Sequence, residues 1–374
     1  MSEHSSPSSL MGGRVFLFSA INTGIAAIMA CYTTFRPVLF ALPPERAHRA
    51  AIRALQLGLA PKSSFAHPSL QTTVAGLNFP APVGLAAGFD KNAECFDGVL
   101  AAGFGFAEIG TVTPRPQPGN PQPRVFRLVG EEALINRLGF NNEGAGAAAT
   151  RLKARRGGGI IGGNIGKNKD SADAIADYVA AMQAIYPYVD YITANISSPN
   201  TPGLRALQAA DELRALVRAL QAARIPPLKP ILVKIAPDGE AAMFEAIADV
   251  ALSEGVDGLI VSNTTVSRET ISGHPLAAET GGLSGKPLLA ASTAALHTMY
   301  RLTNGKIPLI GVGGISSAAD AYAKIRAGAS LVQLYTALVY QGFGLAERIN
   351  RGLVELLTRD GFANVAEAVG ADQR

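Results

Sequence analysis

A polar loop follows a strand-like segment near the middle of the chain. The segment YITANISSPNTPGLR, residues 191–205, begins with aromatic and β-branched residues that favour a strand. It continues with asparagine, serine and threonine between prolines and a glycine, which is typical of a stiffened loop. The loop offers hydroxyls and amides such as Ser198 and Asn200, but no carboxylate, histidine or cysteine. These groups bind a polar ligand by hydrogen bonds, and a serine acts as a base only where its surroundings assist it.

Other apolar segments also end in residues that bind ligands. In chain order these residues are Lys91, Thr111, Asn164, Asn195, Lys234, the Ser262–Asn263 pair, the Gly313–Gly314 pair and the Tyr335–Thr336 pair. They contain no Ser-His-Asp set and no cluster with metal-ligand spacing, so we expect no metal. One polar strand end means little because loops are polar in general, but eight together predict a binding site.

The eight segments themselves predict the fold. Their continuous apolar character is typical of strands that are buried on both faces, and helix-forming stretches separate most of them. We read strands at residues 82–87, 106–111, 159–164, 191–195, 231–235, 258–263, 309–314 and 331–336. This alternation predicts a (β/α)8 TIM barrel, whose binding sites form where strands end. A doubly wound open sheet is the alternative, but no strand is followed by a GxGxxG fingerprint.

Within a barrel, three of these positions indicate the kind of ligand. IGVGGI offers backbone amides at Gly313 and Gly314, and a helix is expected to begin at Thr336. Loops after strands seven and eight often hold a phosphate in this fold, so we expect a ligand that carries one. Lys234 lies inside a buried strand, where an unpaired charge is unfavourable. A salt bridge would satisfy it, but the anionic ring of a flavin suits it better.

Composition excludes several classes of protein. The chain has 374 residues, of which 48% are hydrophobic, and this is enough for a large core. Its net charge is only +4 and no arginine-lysine block stands out, which argues against nucleic-acid binding. The two cysteines, Cys31 and Cys95, match no metal or redox spacing, so a reducing compartment is expected.

The N-terminal region differs from the rest of the chain. The run from Val15 to Phe35 has no charged residue and is long enough to span a bilayer. A cleaved signal peptide is the alternative, because small residues surround Ala30. Only Arg14 precedes the run, whereas several arginines beginning with Arg36 follow it, which places the body of the protein in the cytoplasm.

A helix is predicted to begin at the prolines Pro43 and Pro44. Arg46, Arg49 and Arg53 recur along it at spacings of three and four residues. This pattern is typical either of a helix packed on the domain or of an interfacial helix on anionic lipid. Its position beside the apolar run favours the membrane.

Several motifs together resemble one family. They are AAGFDKNAE, EIGTVTPRPQPGNPQPR, INRLGFNN, NIGKNK, NISSPNTPGLR, VKIAP, SNTT, GGLSGKP, IGVGGI and GASLVQLYT, and they cover nearly everything from residue 37 to about residue 350. In this order they resemble the quinone-dependent (class 2) dihydroorotate dehydrogenases, which are FMN enzymes of pyrimidine synthesis. The resemblance implies oxidation of dihydroorotate to orotate with a membrane quinone as electron acceptor.

The resemblance also implies roles for particular residues. FMN would contact Ala87, Gly88, Phe89, Asp90, Lys91, Thr111, Asn164, Asn195, Lys234, Ser262, Gly285, Gly314, Tyr335 and Thr336. Dihydroorotate would contact Lys91, Asn136, Arg137, Leu138, Gly139, Phe140, Asn195, Asn200, Asn263 and Thr264. The predicted catalytic residues are Ser198, which matches the family's base, Thr201, which we expect to relay a proton, Phe140 and Lys234. No histidine is expected to assist Ser198, because His48 and His67 precede the barrel.

The chain is expected to divide into four parts. Residues 1–36 go beyond the resemblance and are, as our own hypothesis, a membrane anchor, whereas the resemblance implies that residues 37–70 are a helical element through which a quinone enters from the lipid bilayer. Residues 71–358 are the FMN-binding barrel, and residues 359–374 are a C-terminal tail. Candidates for the apolar lining of the quinone tunnel are Leu39, Phe40, Leu42, Leu55 and Leu59.

Two other functions remain open from the sequence. One is a related FMN barrel that acts on another reduced pyrimidine, such as dihydrouracil. Such a substrate lacks a carboxylate, so the charge of Lys91 would have less to bind. An inactive membrane-bound barrel would hold a phosphorylated ligand as a sensor or scaffold. The expected location is the cytoplasmic face of a bacterial inner membrane, with the mitochondrial inner membrane as the alternative. We expect a monomer or a homodimer.

Overall fold

A closed barrel of eight parallel strands forms the centre of the computed structural model, which describes residues 32–373. The strands, numbered along the chain, are β1 (Thr72–Val74), β2 (Leu77–Phe79), β3 (Val83–Leu85), β4 (Phe106–Val112), β5 (Val125–Leu128), β6 (Ala133–Asn136), β7 (Ile160–Ile165), β8 (Tyr191–Asn195), β9 (Ile231–Ile235), β10 (Gly258–Val261), β11 (Gly282–Gly285), β12 (Leu309–Val312) and β13 (Ala329–Leu334). The barrel runs in the order β3, β4, β7, β8, β9, β10, β12 and β13, and β13 pairs with β3 to close it. The predicted TIM barrel is confirmed, and the open-sheet alternative is wrong because the sheet closes.

The barrel strands are buried on both faces, as their apolar composition predicted. Every residue of β4 is buried, and so is every residue of β7, β8 and β9. Four barrel strands, namely β3, β10, β12 and β13, end two residues earlier than predicted. Because β10 ends at Val261 and β12 at Val312, Ser262 and Gly313 belong to the loops that follow.

Helices cover the outside of the barrel. They are α1 (Tyr32–Ala41), α2 (Pro44–Gln56), α3 (Phe96–Ala101), α4 (Ala145–Lys153), α5 (Ala174–Ile185), α6 (Ala210–Ala222), α7 (Ala241–Ser253), α8 (Leu289–Leu302), α9 (Ala318–Arg326), α10 (Thr336–Gln341), α11 (Leu345–Arg359) and α12 (Val365–Ala368). Helix α6 shows why these segments are helical, since it buries Leu213, Leu216, Val217 and Leu220, which share one helical face. Acidic residues in its first turn stabilise its N-terminus.

Two small sheets, which the sequence did not predict, close the two ends of the barrel. The antiparallel hairpin β1–β2 packs Val74 and Phe79 against Phe106 and Tyr191, the first residues of β4 and β8. At the other end, β6 pairs with β5 and with β11 in an antiparallel sheet, in which Asn136 is opposite Gly282. The pairing of β6 with β11 joins residues that are far apart in the chain, and such pairings leave no local sequence pattern.

The helical pair before the barrel begins earlier than residue 37. Helix α1 includes Tyr32, whose hydroxyl donates to Val339 O at 2.7 Å, so the boundary placed between residues 36 and 37 lies within this helix. Helix α2 begins at Pro44, as predicted. None of the helices in residues 32–373 is long and apolar enough to cross a membrane. The predicted span, residues 15–35, lies outside the described residues except for its last four.

The segment after α11 also packs on the barrel. Val365 and Ala368 of α12 are buried, and Gly370 N donates to Ile325 O at 3.0 Å. The division of the chain into residues 1–36, 37–70, 71–358 and 359–374 stays a prediction.

Candidate active site

A cavity of about 180 Å³ lies at the carboxyl ends of the barrel strands, under the sheet formed by β5, β6 and β11. Side chains from both the barrel and this sheet line it, so the strand ends that the sequence singled out meet in one place. The predicted site residues that line the cavity are Ala87, Gly88, Lys91, Thr111, Asn136, Leu138, Gly139, Phe140, Asn195, Ser198, Asn200, Lys234, Ser262, Asn263, Thr264, Gly285, Gly314, Tyr335 and Thr336.

Five predicted site residues do not line the cavity. Asn164 lies one layer deeper and accepts a hydrogen bond from Thr111 Oγ1 at 2.5 Å. The Asp90 carboxylate is completely buried and accepts from the backbone amides of Glu94 and Cys95, at 2.6 and 2.9 Å, which anchors the entry to α3. Burial raises the pKa of Asp90.

The other three face elsewhere. Phe89 packs in a second cavity, described below, and Thr201 is buried within the loop that also carries Ser198. The Arg137 side chain forms an ion pair with Glu279 at 2.6 Å and lies over the Phe126 ring, so only its backbone is close to the site.

Lys234 is a buried cation that faces the cavity. It is only 5% exposed, on β9, and it makes no hydrogen bond or ion pair with any residue of the described chain. Burial lowers its pKa, and the negative charge of Glu108 opposes this effect. A buried ammonium without a protein partner fits an anionic group of a ligand in the cavity.

A cradle without side chains lies at the ends of β12 and β13. Gly313 and Gly314 have positive φ angles of 106° and 80°, a region that favours glycine. A Cβ atom on Gly314 would lie 2.4 Å from the Cα atom of Leu289. Nearby, the hydroxyls of Thr336 and Ser284 are 2.8 Å apart. Close backbone approach and hydroxyl donors suit a phosphate group, as the sequence predicted.

Sequence reasoning missed several cavity residues in this area. Ser284 and Lys286 belong to the motif GGLSGKP, from which only Gly285 was selected. Lys286 Nζ forms an ion pair with Glu132 at 3.0 Å, and Ser316 lines the cavity after the glycine pair. Their polar side chains, next to glycines in the sequence, were the signal that could have identified them as residues of the site.

The loop after β8 holds Ser198 in a nearly buried position. Ser198 is 6% exposed, and its Oγ accepts from Asn200 N at 3.3 Å. No acidic, histidine or cysteine side chain of residues 32–373 is hydrogen-bonded to it. The hydroxyl of Thr201 is also buried, and it has no hydrogen-bond partner within residues 32–373. Arg205 fastens the loop by donating to Ser197 O and by pairing with Asp238 at 3.0 Å.

Asparagine side chains surround the space above this loop. Asn263 Nδ2 donates to Asn195 Oδ1 at 3.3 Å and to Ser197 Oγ at 3.0 Å. Asn200 Nδ2 donates to Asn136 O at 3.1 Å. Each amide group carries both donors and acceptors, so the set can bind a ring that has both N–H and C=O groups.

Lys91, which is partly buried, is the second cation of the site. Its Nζ donates to Gly88 O at 2.6 Å, and burial lowers its pKa to about 8. It lines both this cavity and the second one. A point charge in this position suits a carboxylate on a bound ligand.

The second cavity has a volume of about 460 Å³ and lies between the helical pair α1–α2 and the barrel. Apolar residues from both sides line it, including Leu39, Phe40, Phe89, Leu338 and Phe343. Leu42, Leu55 and Leu59, which were predicted to line a quinone tunnel, do not line this cavity. Leu55 is buried in the core, Leu42 is 39% exposed on the outside, and Leu59 lies beyond the end of α2.

His48 also lines this second cavity, which the sequence did not suggest. Its ring meets those of Phe89 and Tyr335 at centroid distances of 5.0 and 6.3 Å. Burial, with a smaller contribution from the charge of Lys91, lowers its pKa to about 3. His48 is not hydrogen-bonded to Ser198.

Arginines fasten the helical pair over the cavity. Arg127 Nη1 donates to Phe40 O and Leu42 O at 3.1 and 3.0 Å, which caps the end of α1. Its guanidinium also lies 4.8 Å from the centroid of the Phe40 ring. Arg124 Nη2 pairs with Glu45 of α2 at 2.8 Å.

Comparison with known proteins agrees with this geometry. Residues 69–357 match the family model described as dihydroorotate dehydrogenase. The chain is 58% identical to the dihydroorotate dehydrogenase (quinone) of Parvibaculum lavamentivorans over 92% of this chain and 99% of the relative. It is 54% identical to the protein of the same name from Azorhizobium caulinodans, over 92% of this chain and all of the relative.

A solved structure has the same fold. The crystal structure of DHODH from Eimeria tenella in complex with ferulenol superposes with a TM-score of 0.85. It is 41% identical in sequence, and the match covers 90% of this chain and 99% of that one. On the match of family model, relatives and structure, this chain belongs to the dihydroorotate dehydrogenase family.

Proposed function

We propose that the protein oxidises (S)-dihydroorotate to orotate in de novo pyrimidine biosynthesis, with FMN as prosthetic group and a membrane quinone as electron acceptor. The observation that carries this proposal is the single cavity that gathers Ser198, Lys91, Lys234 and the asparagine set beside a phosphate cradle. The names of the relatives support the substrate and the acceptor.

The residues present fit FMN. Gly313, Gly314 and the hydroxyl of Thr336 would hold its phosphate, and Lys234 would face its ring system. When bound, FMN supplies an acceptor for the hydride that leaves the substrate. The positive charge of Lys234 would stabilise negative charge that develops on the ring during this transfer.

The substrate is a cyclic imide with one carboxylate. The amides of Asn136, Asn195, Asn200 and Asn263 would donate to its carbonyls and accept from its N–H groups. Lys91 would pair with the carboxylate and so fix which face of the ring meets the flavin. Dihydrouracil lacks this carboxylate, and Lys91 therefore favours dihydroorotate over it.

Ser198 would remove a proton from one ring carbon while the hydride leaves the neighbouring carbon. A serine is a weak base, so its own proton must move onward as it accepts the new one. The unpartnered hydroxyl of Thr201 supports a relay in this direction, with water as the next acceptor. Burial of Ser198 keeps bulk water away, and Phe140 covers the site from the β6 side.

The second cavity would admit the quinone. It is apolar, it lies under two helices, and it shares Lys91 and Tyr335 with the first cavity. Large apolar side chains are exposed near it, including Val38, which is 67% exposed, and Leu57, which is 72% exposed. These features support attachment to a lipid bilayer through α1 and α2. We place the protein at the cytoplasmic face of a bacterial inner membrane, as a monomer or homodimer.

The proposal is tested by anaerobic mixing of the purified protein. Dihydroorotate is added while the flavin absorbance is followed, and a short-chain quinone is added afterwards. The proposal expects bleaching and then recovery. A bound flavin that dihydroorotate cannot bleach would move the substrate to another ring, and a folded protein without flavin would contradict the enzyme assignment.

A further inference from the structure

A buried carboxylate lies inside the barrel, behind the wall of the first cavity. Glu108 of β4 is completely buried and does not line the cavity. Its Oε1 accepts from Asn164 Nδ2 at 2.7 Å. Its Oε2 accepts from three groups, namely Tyr191 OH at 3.1 Å, Thr193 Oγ1 at 3.2 Å and Gln333 Nε2 at 3.0 Å. Donors from three other barrel strands therefore converge on one acceptor-only group.

The orientation of Gln333 follows from this carboxylate. Its Nε2 faces Glu108, and its Oε1 is buried with no hydrogen-bond partner anywhere in the described chain. A buried amide oxygen without a partner is unfavourable. The side chain keeps this orientation because turning the amide over would place its oxygen against the carboxylate.

A series of hydrogen bonds runs from Glu108 to the cavity and determines which atom of each side chain donates and which accepts. Because Asn164 donates its Nδ2 to Glu108, its Oδ1 is left to accept from Thr111 Oγ1 at 2.5 Å. Thr111 has one proton and uses it there, so its oxygen accepts from Asn195 Nδ2 at 3.0 Å. Asn195 Oδ1 then accepts from Ser197 and Asn263. Each amide in this series has one orientation, and the carboxylate determines it.

The charge of Glu108 also reaches Lys234. Lys234 of β9 is the register partner of Asn195 on β8, and both side chains line the cavity. The negative charge of Glu108 raises the pKa of Lys234, against the larger effect of burial. Without that charge, less of the lysine would be protonated near neutral pH.

We propose that Glu108 is a positioning residue for the flavin site, which orients the amides of Asn164 and Asn195 and balances the charge of Lys234 from behind the cavity. This inference rests on the proposed function, because it assumes that a flavin occupies the cavity. Glu108 itself touches neither substrate nor cofactor. Its effect on the reaction passes through the side chains that do.

The test is a reductive titration of the flavin in Glu108→Gln with dithionite and a reference dye, without dihydroorotate. Glutamine keeps the size of the side chain and removes the charge. Because a smaller fraction of Lys234 would be protonated without that charge, the equilibrium constant for flavin reduction at neutral pH should fall about tenfold. Tyr191→Phe is the matched control, since it removes one hydrogen bond to Glu108 and keeps the charge, and it should leave this constant unchanged.

An unchanged reduction equilibrium in Glu108→Gln would overturn the inference, and so would an equal shift in Tyr191→Phe. If Glu108→Gln does not fold, Glu108→Asp takes its place, because it keeps the charge and shortens the reach. The inference then expects a wild-type equilibrium constant with slower reduction by dihydroorotate, and a tenfold lower constant would contradict it. If the flavin of the wild-type protein is reduced by dithionite but is not bleached by dihydroorotate, that result would instead contradict the proposed substrate.

Discussion

The imidazole of His48 meets the ring of Phe89 edge to face, with centroids 5.0 Å apart, where the two cavities adjoin. His48 belongs to α2, whereas Phe89 follows Gly88, which lines the first cavity. Tyr335 completes the contact, and its ring lines both cavities. Only one layer of side chains therefore separates the proposed sites of substrate oxidation and of quinone reduction.

His48 should make the stability of the protein depend on pH. Its folded-state pKa of about 3 lies below the ordinary value of 6.5, so folding favours the neutral form. The stabilisation is then complete above pH 6.5 and is lost as the pH falls toward 3. Between pH 7 and pH 5, we expect the wild type to lose about 1–2 kcal/mol more than His48→Asn. Urea unfolding at the two pH values measures this difference, and equal losses would show that His48 is not buried as a neutral group.

Lys91 should determine the binding of dihydroorotate through its carboxylate. Removal of one partner of a buried charge pair costs about 2–5 kcal/mol, so Lys91→Met should raise the dissociation constant of dihydroorotate about 100-fold. Because the pKa of Lys91 is about 8, binding to the wild type should also weaken as the pH rises above 8. Lys169→Met, which alters an exposed lysine, is the control. Titration by flavin absorbance measures both effects, and equal affinity in Lys91→Met would place the carboxylate elsewhere.

Gly314 should be required for cofactor retention. A Cβ atom there would overlap Leu289, and the positive φ of 80° is also unfavourable for alanine. Gly255→Ala is a matched control, because Gly255 has a positive φ of 67° and a Cβ atom added there would meet no atom within 4 Å. Both variants should lose about 1 kcal/mol of stability from the backbone alone. Only Gly314→Ala should be purified without flavin, and full flavin content in that variant would place the phosphate elsewhere.

Deletion of residues 1–31 should separate membrane attachment from the barrel. The cut keeps Tyr32, which bonds to Val339 O, and it removes most of the uncharged run. We expect the truncated protein to keep its flavin and to be released from membranes more readily. Fractionation of cells that express either form measures this, and unchanged sedimentation with the membranes would show that α1 and α2 suffice for attachment.

The barrel could be predicted from the sequence because each of its strands is buried on both faces. Segments such as ILVKI then read as continuous apolar runs, and the polar residues at their ends mark one edge of the barrel. The positions of Lys234, Asn195 and Thr336 in one cavity follow from that edge alone. Their types indicate a charged, phosphate-bearing ligand before any likeness to a family is considered.

The rest depends on contacts between distant parts of the chain. The pairing of β6 with β11 brings Asn136 beside Gly282, and no local pattern encodes it. The position of His48 depends on how α2 packs on the barrel, and it was therefore missed. Glu108 reads in the sequence as one polar residue within a strand, and only the fold shows the four donors that converge on it.

The most direct test of the account is rapid anaerobic mixing of Ser198→Ala with dihydroorotate and then with a short-chain quinone. Loss of a general base slows its step about 100-fold or more, so bleaching of the flavin should slow by that factor while recovery with quinone keeps its wild-type rate. Ser198→Cys should restore bleaching in part, with a pH profile displaced to lower pH because a thiol ionises more readily than a hydroxyl. Bleaching of Ser198→Ala at the wild-type rate would contradict the assignment of Ser198 as the base.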